Sequence, residues 1–460
     1  MTEDRPDLAG TLLSPRSLLN DPLFERMHLW LFVWSGPQEP RARELRQVFV
    51  DILLVVFGAA LPWSTTVASV LSVALVIAIP PILTARAVVA GLRRPPLLLP
   101  IVFFALAAIG TIWASDVSWW ERLHALDKTS KLLLIPLVFL HFQTSPRPGW
   151  TFVSFGLSNS LLLALSFSVY ASPALARYIE PHALGVPVKN YIDQSQGFAF
   201  LAVTIGGLAT EALRRAMFGR TIVLYFSSAA FLANLAFVNV ARSAFLYVPI
   251  MLLLFAWRYV RGWRLLSVLA IFVIIGLVSL ASAPNLQRKI ARIPGDLTAY
   301  RANSLTVGDD PASGAQRLVF WRSSFVFVRS APLLGHGTGS TRRLFEAEAN
   351  GRTGLDSLVV SNPHNQTLSV AIQWGLVGCL ALYAMWAVHL WLFRQGVRSA
   401  SAPFLAWIGL VAVVQNIASS IFNSHLQDFY PGWLYVLAVG IAGGALHRSE
   451  IAGSADHRTR

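Results

Sequence analysis

Long apolar stretches recur along this chain at lengths of roughly 17 to 25 residues, which is what a helix needs to cross the hydrocarbon core of a bilayer. They lie near 47–62, 65–84, 97–114, 129–143, 150–170, 196–213, 220–239, 243–258, 263–283, 365–393, 403–422 and 429–446. The fold class they specify is all-α, a polytopic transmembrane helix bundle of about 12 spans. The first four are the least regular: 47–84 reads as one kinked hairpin or as two spans, and 129–143 is short. Only 13% of the 460 residues are charged, against roughly 25% in a soluble chain. Too few charges remain to cover several water-soluble domains, so that class is excluded. The single cysteine, Cys379, rules out an intrachain disulfide.

Orientation follows from where arginine falls. Residues 1–26 carry Asp4, Asp7, Asp21 and Glu25 among arginines and have no early apolar block, so the N-terminus is expected in the cytoplasm with no cleaved signal. Met27–Val33 is too brief to span and reads as interfacial. The turns then expected inside contain Arg86, Arg93 and Arg94; Arg147; Arg214, Arg215 and Arg220; Arg258, Arg261 and Arg264; and Arg394 and Arg398, with Arg448, Arg458 and Arg460 in the tail. This is the positive-inside pattern, and it accounts for most of the net charge of +14 with no nucleic acid as partner. The chain divides into a cytoplasmic or interfacial segment 1–46, nine spans within 47–283, an outer loop 284–363, three more spans within 364–446 and a cytoplasmic tail 447–460. The loop breaks the pattern, with ten basic residues against six acidic ones on the side where topology does not call for them. An anionic partner outside explains that excess; a solvated surface with some surplus arginine is the plainer alternative.

Several motifs cluster in and around this loop. Gly314 to Ser330 places Leu318, Trp321, Phe325 and Val328 on one helical stripe, so an amphipathic helix is expected, with Arg317 near its start. A glycine-rich turn, PLLGHGTGS, follows from Pro332; its His336 reads as a loop histidine. Pro363 favours an extended residue before it, which puts His364 at or near the start of the next span. A histidine there, beside a basic loop, suits a proton acceptor, or it simply hydrogen-bonds a helix start. Gly375, eleven residues on, shares its face at 3.6 residues per turn with Gly378 close by, and small residues there allow a neighbouring helix to approach. Arg242 ends the seventh stretch on the outer side, where a cation is costly unless paired, directed into a polar cavity or snorkelling to headgroups. Arginine suits a diphosphate because its planar fork stays charged and binds phosphate oxygens in pairs. No zinc-ligand spacing, HExxH, GxSxG or outer DxD is present, and the first outer turn, Pro62 to Thr65, has no carboxylate.

This constellation resembles the O-antigen ligase and polymerase superfamily. The residues that carry the likeness are His364-Asn365, nine residues, then Gly375-Leu376-Val377-Gly378, with the long loop before them, RLVFWRSSFVFVRSAPLLGHGTGS containing Arg317, and the pair Arg242-Ser243. The likeness covers roughly residues 185–440. It implies a GT-C-like architecture in the bacterial inner membrane, with both termini cytoplasmic and a periplasmic active site. It also implies lipopolysaccharide biosynthesis: a polysaccharide moves en bloc from undecaprenyl diphosphate to a sugar hydroxyl of the lipid A core. On that resemblance His364 activates the acceptor hydroxyl, Arg242 and Arg317 contact the donor diphosphate, and Asn365, Gly375 and Gly378 complete the motif. The transfer would invert the anomeric centre and need no metal, nucleotide or other cofactor. A polymerase of the same superfamily is the nearest alternative, and a lipid-linked glycan transporter a further one.

Overall fold

The computed structural model describes residues 40–179, 185–238, 241–307, 310–311, 313–398 and 402–456. The expected interfacial stretch Met27–Val33, and Arg458 and Arg460 of the tail, lie outside the described residues. The described chain runs α1 (Pro40–Ala60), α2 (Thr65–Ala78), α3 (Ala85–Leu92), α4 (Pro95–Ile109), α5 (Trp119–Ser130), α6 (Leu134–Phe142), α7 (Pro148–Ala171), α8 (Pro173–Ile179), α9 (Tyr191–Arg214), α10 (Phe218–Ala233), α11 (Ala244–Tyr259) and α12 (Arg264–Ser282). Then come α13 (Pro284–Arg301), a two-residue ribbon of β1 (Thr306–Val307) and β2 (Asp310–Pro311), α14 (Ser313–Ser330), α15 (Ser340–Ala349), α16 (Gln366–Arg398), α17 (Pro403–Ser419) and α18 (Phe429–Asp456).

The protein is an all-α polytopic membrane bundle, and each apolar stretch of the sequence falls on a helix. Among the described residues, seven helices are long and apolar enough to cross a membrane, or up to eight if α3 and α4, bent by 81° where they meet, form one span. The remainder of the expected dozen or so are shorter or more charged. Helices α11 and α17 have 16 and 17 residues and α6 only 9, and α1 begins with Arg41, Arg43, Glu44 and Arg46. The short α6 has a local cause. The capping box of Ser118 and Glu121 starts α5 early, and a 3-10 turn at Lys131–Leu133 separates it from α6.

Helix α18 forms the centre of the bundle and is buried along almost its whole described span. It packs on α6 and α17, while α16 packs on α17 and α4. The α6 contact is close because Gly440 and Gly444, four apart, present no side chain: a Cβ at Gly440 would press on Val138 and one at Gly444 on the Phe139 carbonyl. At the arginine-rich end a buried knot closes the bundle. Asp51 of α1 accepts from Ser145 (2.8 Å), contacts His141 (2.7 Å) and pairs with Arg147 at 3.3 Å, so its buried charge is compensated.

The opposite end carries the segment 284–363. The apolar stripe of its helix α14 is compatible with a place on the membrane or against the spans, and it is not the stripe that turns inward. Val319, Phe320, Ser323, Ser324 and Phe327 are buried, whereas Phe325 is 57% exposed and Leu318 is also exposed. Phe320 and Phe327 pack with Phe345 of α15 and Ile372 of α16, which sets the rotation of the helix.

The segment is anchored by a break in α16. Gly375 has φ 58° and ψ −151°, a conformation essentially restricted to glycine, so α16 is two helices meeting at a kink. A continuous helix would bond the amides of Leu376 and Val377 to the carbonyls of Ile372 and Gln373. Here the turn 332–337 is inserted between them. Leu376 and Val377 donate to Pro332 (2.8 Å) and Leu333 (3.2 Å), and His336 and Gly337 donate to Ile372 and Gln373 (both 2.8 Å). The expectation that Gly375 and Gly378 share a helix face for a neighbouring helix is therefore corrected: the neighbour at Gly375 is backbone of the inserted turn, and a Cβ there would collide with the Leu333 carbonyl. A Cβ on Gly378 would meet the Trp374 and Val370 side chains of its own helix. Gly375→Ala is expected to cost about 2 kcal/mol or more from strain and collision, seen as a clear drop in the unfolding temperature of the detergent-solubilised protein. Gly149→Ala, where nothing lies within 4 Å of the added carbon, should leave it unchanged.

Candidate functional site

His364 precedes α16 by two residues, in a left-handed conformation (φ 55°) that costs a non-glycine residue roughly 1–2 kcal/mol. Its neighbours hold it there. Asn365 caps α16, its Oδ1 accepting from the Leu368 amide (3.0 Å) and its Nδ2 donating to the Ile421 carbonyl (2.9 Å). Asn362 Oδ1 accepts from the His364 amide at 2.9 Å. Helix α14 lies over this turn: Trp321 Nε1 donates to the Pro363 carbonyl (3.1 Å), and the Phe320 ring centroid is 6.1 Å from that of His364.

The protonation of the His364 ring can be read outward from one unambiguous donor. The His364 amide can only donate, so the Asn362 atom facing it is oxygen and its other arm is the NH2 group. That NH2 donates to Asn423 at 3.2 Å, so the Asn423 atom there is also oxygen. The same oxygen lies 2.9 Å from His364 Nδ1, which must therefore carry the proton. The Nε2 lone pair is left as the basic position of a neutral ring. Asn423 is held from behind, its Nδ2 donating to Asp428 Oδ2 at 2.7 Å. Burial lowers the pKa of His364 and the charge of Arg317 lowers it further, against an opposing hydrogen bond from Asn423, so the neutral form is favoured.

Arg317 and Arg242 come together on the α14 side of this histidine. Arg242 pairs with Asp296 of α13 at 2.8 Å. Arg317, one turn before Phe320, lies in the fields of Tyr191, Arg242 and Asp296; burial first, and Arg242 after it, disfavour its charge. Lys289 joins them above the Tyr191 ring (5.4 Å), with its pKa brought down to about 8 by burial and by Arg242. Arg242 thus lies within electrostatic reach of both Arg317 and Lys289 and disfavours the charge of each, an arrangement that an anionic ligand would relieve. His336 sits apart from this group, bonded to the Phe327 carbonyl (2.9 Å) at the end of α14.

The sequence reading missed the other half of the site, the turn 420–428 between α17 and α18. Asn423 and Ser424 bond Asn362, and Lys131 donates to the Gln427 and Asp428 carbonyls at 2.9 and 2.7 Å. Burial raises the Asp428 carboxyl to about 7 and holds the His425 ring neutral, with its pKa lowered to about 3. The available signal was the polar run Asn423-Ser424-His425 between two apolar helices. Asp296 and Lys289 had no comparable signal within the charged loop. Among the described residues no group of three or more His, Cys, Asp or Glu is placed to hold a metal ion.

Residues 227–383 match the family model described as O-antigen ligase, a range that includes Arg242, Arg317, His364 and both motif glycines. No curated protein matches the chain. The hydrogen-bond chain through Asn423 makes a direct prediction. In 15N-histidine spectra, with His364 assigned by its loss in His364→Gln, the neutral ring should be Nδ1-protonated. Asn423→Ala should move it toward the Nε2-protonated form and lower its pKa; an unchanged spectrum would count against the chain.

Proposed function

Since residues 227–383 match the O-antigen ligase family model, we propose that this chain is a glycosyltransferase of lipopolysaccharide biosynthesis. It moves a polysaccharide en bloc from undecaprenyl diphosphate to a sugar hydroxyl of the lipid A core. The observation that carries this reading is the pairing of a neutral, oriented histidine with a half-buried group of cations on one side of it. In the proposed step the acceptor hydroxyl gives its proton to His364 Nε2 as its oxygen attacks the anomeric carbon. The bond from that carbon to the diphosphate oxygen breaks, and the leaving undecaprenyl diphosphate takes the electron pair, its charge met by Arg242 and Arg317 with Lys289 nearby. Attack opposite the leaving group inverts the anomeric centre. Arginines in place of a divalent cation make the reaction metal-independent. Asn365 caps the helix that His364 precedes, and Gly375 admits the turn that holds α14; both act on the site through position.

In this reading the protein lies in the bacterial inner membrane with both termini in the cytoplasm and the site at the periplasmic face. Arginine at the turns of the far end supports that orientation. Transfer by purified protein, from lipid-linked glycan to lipid A core, should fall at least 100-fold in kcat for His364→Ala, the scale of a lost general base. Arg317→Lys should mainly weaken the donor, because one ammonium cannot replace a fork. EDTA should leave the rate unchanged. Because the His364 pKa lies below the ordinary histidine value, the neutral base persists as pH falls through the range where free histidine protonates. The acid limb of kcat/KM should then lie below that value and move upward when Arg317 is replaced by Gln, since removing a nearby cation raises the pKa. An acid limb that ignored the Arg317 charge would contradict the assigned base.

A further inference from the structure

Two cavities that neither Arg242 nor Arg317 lines meet near the turn that presents His364. The first is a polar cleft of about 360 Å³ between α5, the start of α15 and the first turns of α16, with Trp120, His124, Lys128, Thr341, Gln373 and Gln427 in its wall. The second is a groove of about 890 Å³ that runs down between α2 and α6 over Val73, Val76, Leu134, Leu137 and Trp433. They share His124, Lys128, Ser361 and Gln427, so the polar cleft sits at the head of the apolar groove. The groove opens toward lipid along α2, whose Val70, Val73 and Ile77 are exposed.

Three features say what fits this pair. Trp120 is 77% exposed beside carboxamides and hydroxyls, the mixture of flat apolar face and hydrogen-bonding groups that suits a sugar ring. The Thr341 hydroxyl is 3% exposed and has no partner among the described residues, so the wall holds a buried polar atom unsatisfied by the protein itself. Lys128 and Arg342 add separated cations where isolated phosphates on sugars could sit, although Arg342 is already paired with Glu346 and Glu121 lies in the same wall. None of Arg242, Lys289 and Arg317 lines either cavity. Asn362 connects the groove to the base, since it lines the groove and bonds the His364 amide.

We propose that the cleft and the groove form one binding site for the acceptor glycolipid, phosphorylated sugars in the cleft and acyl chains in the groove. This gives the acceptor a site apart from the cations proposed to meet the donor diphosphate and joined to His364 through Asn362, and it rests on the transferase reading above. The acyl chains take the groove because its valines, leucines and Trp433 give it an apolar stretch, beside the polar wall of Asp127, Lys131 and Asp428; the sugars take the cleft because there hydroxyl-bonding groups and the exposed Trp120 indole occur together.

The single native cysteine makes the site measurable without turnover. In a Cys379→Ala background, Ala125→Cys puts one thiol on the cleft wall. Lipopolysaccharide lacking its O-polysaccharide is expected to slow maleimide labelling of that thiol about tenfold, undecaprenyl diphosphate to leave it unchanged, and neither to affect Gly149→Cys at the far end of the bundle. Slowing by undecaprenyl diphosphate instead, or by neither lipid, would overturn the proposal. Should the cysteine variant not fold, Trp120→Ala and Lys128→Gln in the otherwise natural chain should raise the acceptor KM about tenfold and leave the donor KM alone; a rise confined to the donor, or no rise, overturns it equally. Shielding without transfer would count against the reaction and leave the site standing, whereas transfer without shielding would do the reverse.

Discussion

The structure depends on a backbone exchange at Gly375. Two helical hydrogen bonds of α16 are given up, and four bonds to the turn 332–337 replace them. Near the membrane an unpaired amide or carbonyl costs several kcal/mol, so neither the break nor the turn is stable without the other. The consequence reaches the chemistry. Because the turn is fixed to α16, the helix that leads into it, α14, is fixed as well, and α14 holds Arg317, Phe320 and Trp321 over the turn that presents His364.

The charges of the site are mutually dependent in the same way. Burial and the neighbouring Arg317 keep His364 neutral, which a base must be before it can take a proton. The cations in turn repel one another, Arg242 disfavouring the charge of both Lys289 and Arg317. A diphosphate would relieve that strain as it bound and more so as its charge grew. Removing one cation therefore changes two things at once, the affinity for an anion and the basicity of the histidine.

Much of this was visible in the residues. Apolar length placed the helices, and the order of Arg242, Arg317 and His364 named residues whose charges the fold brings within reach of one another, while Gly375 packs on the turn 332–337 instead. What failed did so for physical reasons. Periodicity along Leu318, Trp321, Phe325 and Val328 identifies a helix but does not say where its partner lies, and Phe345 and Ile372 rotate α14 to bury Phe320 and Phe327 instead. The spacing from His364 to Gly375 assumed one unbroken helix, whereas His364 lies outside α16 and Gly375 breaks it. Asn423 and Asp428 stand about sixty residues beyond His364 and reach it only through the packing of α17 and α18 against α16. Local patterns carry no record of such contacts.

The central claim is that one histidine and an arginine pair transfer a whole glycan to a core sugar with inversion. The most direct measurement is the product of a single-turnover reaction of the purified protein with lipid-linked glycan and lipid A core, its new linkage determined by NMR. The account predicts the glycan on the core acceptor, with the anomeric configuration opposite to that of the donor and free undecaprenyl diphosphate released in equal amount. A retained configuration, or a glycan found only on a second lipid-linked repeat, would contradict it.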